Sequence, residues 1–513
     1  MVFQATRNQF ACAALSVLLI AGASSQARAQ SAAVLPGQTI TEGMVNEAFG
    51  LVSCELVNLD VPAFHDGALH VTVPFAGVPY ELALHPHSNR SDRYEVQVHD
   101  GSGVVRNIAP GPVLTKRGEV VGLAGSRVTA SLTEGLSARV RLPDGSSFQV
   151  APVSEEIAGA PARLHAVYHI DSVLSRPEND CGLDLLPNGG RVASQEPVGA
   201  PKISCNDLWK CEVAVDTDYE FYVDKGSTAN VESSINAVIN DANDEYERDV
   251  SITHEIVLII VYTTNTDPYT TNDPSALLGQ LRTNWRNNHA GVARDIVHMF
   301  SGRNLSGSVI GIAWLGVICN TNYGYSLVEN ISGASCRADL SAHELGHNWN
   351  ADHCSCPSNT MNSYLTCANQ FSAGSITTIS NFRNNKGCLS CDDADVCQAD
   401  IGYGGPGTGI LTLCGGDLSP GTTADLEITN AYNYGMVYIQ VGLSNNPTGF
   451  KGGLLVPVPG WTLGPFYLDA AGALLIPGVP GGTTLTFYMQ AVYQDFNQAL
   501  YWGLTNALMV QRP

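Results

Sequence analysis

The run Glu255-Ile-Val-Leu-Ile-Ile-Val-Tyr262 narrows the fold more than any other stretch of the chain. An unbroken apolar run of this length, without helical amphipathicity, is expected of a strand covered on both faces. Its neighbours supply the covers. Asn230 to Arg248 carries Val231, Ile235, Val238 and Ile239 at helical spacing, and Leu277 to His289 reads as a second helix. Glu212-Val-Ala-Val-Asp216 and Ser308 to Leu315 read as further strands. Alternating strands and helices predict an α/β domain with a mixed, mostly parallel sheet. We place it at residues 201–392, ending near Cys391.

The flanking regions follow a different period. Residues 30–200 alternate apolar and polar side chains in short runs, such as His70-Val-Thr-Val-Pro74, Tyr94-Glu-Val-Gln-Val98 and Arg139-Val-Arg-Leu142, with Pro143-Asp-Gly145 as a turn. This predicts a β-rich domain. Pro187 to Pro201 shifts to Pro, Gly, Asn and Ser and reads as a linker. Residues 393–513 hold strand-like runs at Asp425–Thr429, Met436–Val441, Gly453–Val458 and Thr483–Tyr493, separated by turns such as Gly478-Val-Pro-Gly-Gly482. A C-terminal β-sandwich is expected there. The chain thus reads as multidomain.

Residues 1–29 have the pattern of an export signal. Arg7 supplies a positive start, Ala11 to Ala23 an apolar stretch, and Ala27-Arg28-Ala29 a small-x-small cleavage site. The apolar stretch is too short to cross a bilayer, which needs about 20 residues. A secreted protein is expected, extracellular or periplasmic in transit, with no membrane span. Fourteen cysteines suit an oxidising compartment. Cys12 leaves with the signal, so an odd number remains and at least one needs a role other than an internal bridge. The formal charge of −22 works against nucleic acid and anionic membranes as partners.

Chemistry is concentrated in Ser341-Ala-His-Glu-Leu-Gly-His-Asn-Trp-Asn-Ala-Asp-His353. On a helix, positions i and i+4 share a face, so His343 and His347 can aim at one ion. Glu344 stands beside them, placed to activate water without being a ligand. His353 is a third nitrogen donor once the chain turns sharply, and Asn350, which tolerates a left-handed conformation, sits where that turn starts. Three protein ligands leave a fourth position open, as in catalytic zinc sites. The competing readings are surface histidines on a polar helix, and a zinc site whose third ligand is a downstream glutamate.

The segment resembles the metzincins, with their HExxHxxGxxH motif and Met-turn, and within them the reprolysin (adamalysin, ADAM-like) family in a secreted bacterial form. The resemblance spans roughly residues 205–391 and includes Ala293–Arg303 and Gly311–Cys319. Asn350 replaces the usual glycine, and Cys354 stands where the family carries Asp after the third histidine. The resemblance implies a zinc endopeptidase: His343, His347 and His353 on the metal, Glu344 as general base, and Met361 as the Met-turn methionine, a core methionine being the alternative. It implies that Ala293–Arg303 and Gly311–Cys319 run into an edge strand that pairs with an extended peptide. Ser147–Pro152, His165–Tyr168 and Asn179-Asp-Cys-Gly-Leu183 are similar to the end of a reprolysin propeptide. Cys181 would then be a zymogen switch, a thiolate filling the open zinc position; a bridge to Cys54 is the alternative. Cys319–Cys388 is the family-like disulfide, and Cys397–Cys414 a local one. Glu212 and Asp295 stand where relatives hold calcium, against ordinary exposed acids as the alternative.

The predicted reaction is hydrolysis of peptide bonds in extracellular proteins, with Glu344 taking a proton from water and passing it to the leaving amine. The second class of reading is a secreted adhesin whose zinc domain is inactive; retention of Glu344 argues against it. Arg191 is a candidate activation cut. The tail, through Trp461, Phe466, Tyr467 and Tyr488, could hold a surface or glycan, or these rings could be core. The enzyme is expected to act as a monomer.

Overall fold

The computed structural model describes residues 39–512 apart from 63–66, 134, 193–207, 392–397, 417 and 459. The expected export signal, most of the 187–201 linker and Cys397 lie outside these residues. Three sheet systems follow one another along the chain, and the middle one carries the chemistry.

That middle sheet runs, edge to edge, Tyr364–Leu365, Arg176–Cys181, Val309–Ala313, Tyr325–Glu329, Ile296–Ser301, Trp209–Thr217, Ile252–Tyr262, Arg90–His99 and Val105–Ile108. Ile252–Tyr262, Trp209–Thr217, Ile296–Ser301 and Tyr325–Glu329 pair in parallel, while Val309–Ala313 is antiparallel to Tyr325–Glu329. The sheet is therefore mixed with a mostly parallel centre. Residues 256–262 are all buried. Fully burying one Val, Leu or Ile side chain contributes about 1.5–3 kcal/mol, so this strand can only sit at a sheet centre under two helical layers. One layer is the long helix Thr228–Val250 with the helix Ala334–Asn348; the other is Pro274–Asn288, which packs Leu277, Leu278, Leu281 and Trp285. Helix starts are set locally. Ser227 caps Thr228–Val250 by accepting the Asn230 N–H, and Asp273 caps Pro274–Asn288 with Pro274 in its first turn.

The N-terminal sheet is antiparallel throughout, in the order Glu55–Asn58, Leu164–His169, Ser147–Pro152, Ser137–Arg141, Arg127–Ser131, Thr115–Val120, Val78–Pro86 and Leu69–Phe75. One difference from the sequence reading matters. Arg90–His99, Val105–Ile108 and Arg176–Cys181 are strands of the 30–200 region, yet they belong to the middle sheet. Arg90–His99 lies parallel to Ile252–Tyr262, and Val96 is fully buried in its core. Alternation predicts such a strand, but its partner depends on a contact about 160 residues away.

Arginines of the N-terminal sheet also reach the long helix. Arg117, Arg127 and Arg141 converge on Asp244, while Arg90, on the middle sheet's strand Arg90–His99, pairs with Glu232.

The C-terminal region has a five-stranded sheet (Ala399–Gly402, Trp502–Arg512, Leu485–Gln494, Met436–Gly442, Trp461–Tyr467) and a three-stranded one (Ile410–Cys414, Thr423–Thr429, Leu474–Pro480). One apolar cluster draws Leu411, Leu413 and Leu426 from the second and Val437, Ile439 and Leu508 from the first. Trp461 and Tyr467 are exposed, whereas Phe466 packs against the cluster.

Disulfides join Cys319 to Cys388, Cys336 to Cys367, and Cys354 to Cys356. Cys391 and Cys414 are each in a disulfide as well. Cys54, Cys181 and Cys211 are free thiols, so the alternative bridge between Cys54 and Cys181 is not formed. No described helix is long and apolar enough to cross a membrane.

Candidate metal centre

Helix Ala334–Asn348 carries His343 and His347 one turn apart on its inner face, both buried. The helix stops at Trp349, and Asn350 takes φ 73, the left-handed turn that brings His353 back. Ring centroids lie 4.6 Å apart for His343 and His347, 4.8 Å for His347 and His353, and 5.3 Å for His343 and His353. The Cys181 sulfur completes a group of four donor atoms within 4.8 Å of one another, 3.4 Å from His347 Nε2.

The outer nitrogens fix the tautomers. His343 Nδ1 donates to the Thr360 carbonyl and His347 Nδ1 to the Ala351 carbonyl, each at 2.7 Å. A carbonyl only accepts, so both Nδ1 atoms carry hydrogen and both Nε2 atoms present lone pairs. Those two Nε2 atoms face each other at 3.0 Å. His353 Nε2 is buried with no hydrogen-bond partner. Burial, then His353, pushes His343 down to about 3, and burial with both neighbouring rings holds His347 well below its usual value. The two Nε2 lone pairs of neutral His343 and His347 repel unless a cation lies between them, and the unpartnered His353 Nε2 adjoins the same point. The donor set fits zinc.

Glu344 is fully buried, with Oε1 unpartnered and Oε2 3.7 Å from the Cys181 sulfur. Burial raises its carboxyl to about 8. Burial first, then Glu344, pushes the Cys181 thiol well up, so a thiolate there requires a cation beside it.

Met361 is fully buried beneath the helix. A Cβ built at Gly346 would run into the Met361 sulfur, which explains the glycine between the two histidines. Gly346→Ala should destabilise the fold by about 1–3 kcal/mol through overpacking, read from urea unfolding; a loss under about 0.5 kcal/mol would show that this packing is slack.

The strand Arg176–Cys181 lies between Val309–Ala313, to which it is parallel, and Tyr364–Leu365. The Gly182 N–H donates to the Gly311 carbonyl at 2.8 Å, and the Cys181 N–H to the Ser363 carbonyl at 3.3 Å. The edge of Val309–Ala313 is therefore occupied by the chain itself.

Glu212 and Asp295 adjoin each other, but among the described residues they gather no further carboxylate. Arg93 pairs with Glu212, and Asp295 accepts the Glu212 N–H at 2.8 Å. The donor group that contains Asp295 has only the disulfide-bonded Cys319 and Cys388 as its other members. This arrangement does not support calcium. Arg191 is exposed and pairs with Asp352 at 2.9 Å.

Sequence reasoning missed Thr360 and Ala351, whose carbonyls orient the two helical histidines, because a backbone acceptor leaves no residue-type signal.

Residues 207–389 match metallo-peptidase family M12 (Reprolysin_5). Among solved structures, metalloproteinase-II from Bacteroides fragilis aligns at 12% identity over 62% of this chain and 92% of its own, with a TM-score of 0.37. A chaperone–substrate complex aligns at 15% identity over 35% of this chain and 38% of its own, with a TM-score of 0.28. The family match falls on the segment that carries the histidines, so residues 207–389 are a metallopeptidase domain of family M12 and the protein is a metalloendopeptidase.

Proposed function

We propose that the chain is a reprolysin-like zinc endopeptidase, exported through residues 1–29 and made as a zymogen that Cys181 keeps silent. The observation that carries the zinc assignment is the pair of Nε2 lone pairs, on His343 and His347, facing each other at 3.0 Å. His343, His347 and His353 would hold the metal. Zinc bound there supplies Lewis acidity toward water and toward the scissile carbonyl. Glu344 accepts the proton from water and returns it to the leaving amine. Met361 supports the helix from below.

The edge Val309–Ala313 is where an extended substrate would add as a strand. Residues 176–182 occupy that edge and put a sulfur against the histidines, which supports reading 30–200 as an inhibitory segment. Its removal, with Arg191 as the candidate cut, would free both the edge and the fourth donor position. Cys181 is a free thiol, as such a switch requires. For the tail, the exposed Trp461 and Tyr467 support a contact surface for glycan or cell-surface material.

The test is digestion of an extracellular protein by the processed form, with zinc content measured in parallel. Activity should vanish with a zinc chelator and return with zinc. In the unprocessed chain, Cys181→Ala should raise peptidase activity above the parent. Proteolysis by metal-free protein would overturn the zinc assignment; unchanged latency in Cys181→Ala would overturn the switch.

A further inference from the structure

Thr360, the residue before Met361, has one hydroxyl proton and two carboxyl neighbours. Its Oγ1 lies 2.6 Å from Glu245 Oε1 and 2.7 Å from Asp339 Oδ1, and all three residues are buried. A hydroxyl donates one hydrogen bond, so it cannot satisfy two ionised carboxylates. One of the two must bring its own proton.

The surroundings identify which. Asp339 takes a further firm donor, the Asn369 N–H at 2.8 Å, and faces the Thr366 hydroxyl at 3.3 Å, whose proton it shares with the Asn359 carbonyl at 3.1 Å. Glu245 takes none, and its Oε2 is buried without a partner. Ionised, Glu245 would keep an unsolvated carboxylate oxygen; protonated, it keeps only a neutral carbonyl oxygen, at far lower cost. Asp339 across the gap and Asp249 on its own helix oppose ionisation, while Arg248 favours it.

We propose that Glu245 is a positioning residue for His343. Its protonated carboxyl donates to the Thr360 hydroxyl, which donates to the Asp339 carboxylate. The Gln370 N–H completes the set at 3.1 Å. Held this way, Thr360 keeps its carbonyl at the His343 Nδ1 and so aims Nε2. The proposal rests on His343 being a zinc ligand, as argued above.

Burial, then Asp339, raises the Glu245 carboxyl from 4.5 to about 8. The folded state thus binds this proton more tightly than the unfolded chain. The stability it confers is complete below about 4.5 and is lost as pH rises through about 8.

Glu245→Gln keeps a donor for Thr360 without a titrating group; Glu245→Ala removes the donor. Glu245→Gln should bind zinc as the parent does, and its Tm should fall less than the parent's between those pH values. Glu245→Ala should weaken zinc binding by about 10–100-fold, the usual effect of losing support behind a ligand. In metal-free protein at neutral pH, the infrared C=O stretch of a protonated carboxyl should be present in the parent and reduced in Glu245→Gln. An unchanged infrared band, or zinc binding in Glu245→Gln as weak as in Glu245→Ala, overturns the proposal. So does parental zinc binding in Glu245→Ala. If Glu245→Ala does not fold, the infrared and pH comparisons of parent with Glu245→Gln decide. A parent that binds no zinc at all would instead overturn the metal assignment, leaving the infrared result to stand on its own.

Discussion

Glu344→Gln is expected to lower kcat on a peptide substrate by about 10²–10⁴-fold, the range typical of a lost general base. The substitution keeps the volume of a fully buried side chain and the oxygen that faces the Cys181 sulfur. It removes only the capacity to take a proton. Zinc content should stay at the parental level, because the three imidazoles are oriented independently of Glu344, by the Thr360 and Ala351 carbonyls and by the turn at Asn350. The measurement belongs on the processed form, with zinc analysis and circular dichroism beside the kinetics. The loss should appear in kcat and kcat/KM alike, as expected when an interaction made in the transition state disappears. A variant that holds zinc and cleaves at the parental rate would remove Glu344 from the mechanism.

The histidine constellation was legible because its chemistry is periodic. Two imidazoles four residues apart share a helix face in any helix, and Asn350 announces the turn that returns His353. The strand Ile252–Tyr262 was legible for a similar reason, since nothing but a sheet centre accepts so many consecutive apolar side chains. What escaped was non-local. Alternation in Tyr94–Val98 marks a strand, yet nothing in it says that the partner is the middle sheet. The long helix offers a second example. Its apolar stripe of Val231, Ile235, Val238 and Ile239 reads as one buried face, and nothing in that pattern says where Glu232, Asp241, Asp244 and Glu245 go. All four are buried: Asp244 under arginines of the N-terminal sheet, Glu232 against Arg90 of the middle sheet, and Glu245 against Thr360. A solvated acidic face and one matched to cations elsewhere in the chain have the same local pattern.

That matched face leads to the largest expected stability effect in the molecule. Asp244 is almost wholly buried, with Arg141 at 2.9 Å, Arg127 at 3.3 Å, and Arg117 and Arg248 at 3.6 Å. Burial alone would raise its carboxyl, but Arg141, Arg117 and Arg127 outweigh it and hold the group well below the usual carboxylate range. Asp244→Asn should therefore cost about 3–5 kcal/mol, the effect of removing one member of a buried ion network and leaving cations uncompensated. Arg141 suffers most, because its remaining contact is the Asn369 carbonyl at 2.8 Å. Arg127, nearly half exposed, loses less to solvent screening. The sign of the pH dependence follows from the depressed carboxyl. The stability it supplies is complete above the unfolded value of about 3.9 and is lost as pH falls below it. Acid should therefore loosen the parent from the long helix outward, while Asp244→Asn should lack that component. Urea unfolding at neutral pH and in acid, with limited proteolysis of residues 39–192, measures both effects. If neutral-pH unfolding of Asp244→Asn matches the parent within about 0.5 kcal/mol, the strand Arg90–His99, buried at Val96 beside Ile252–Tyr262, holds residues 39–192 to the middle sheet, and the arginines add little.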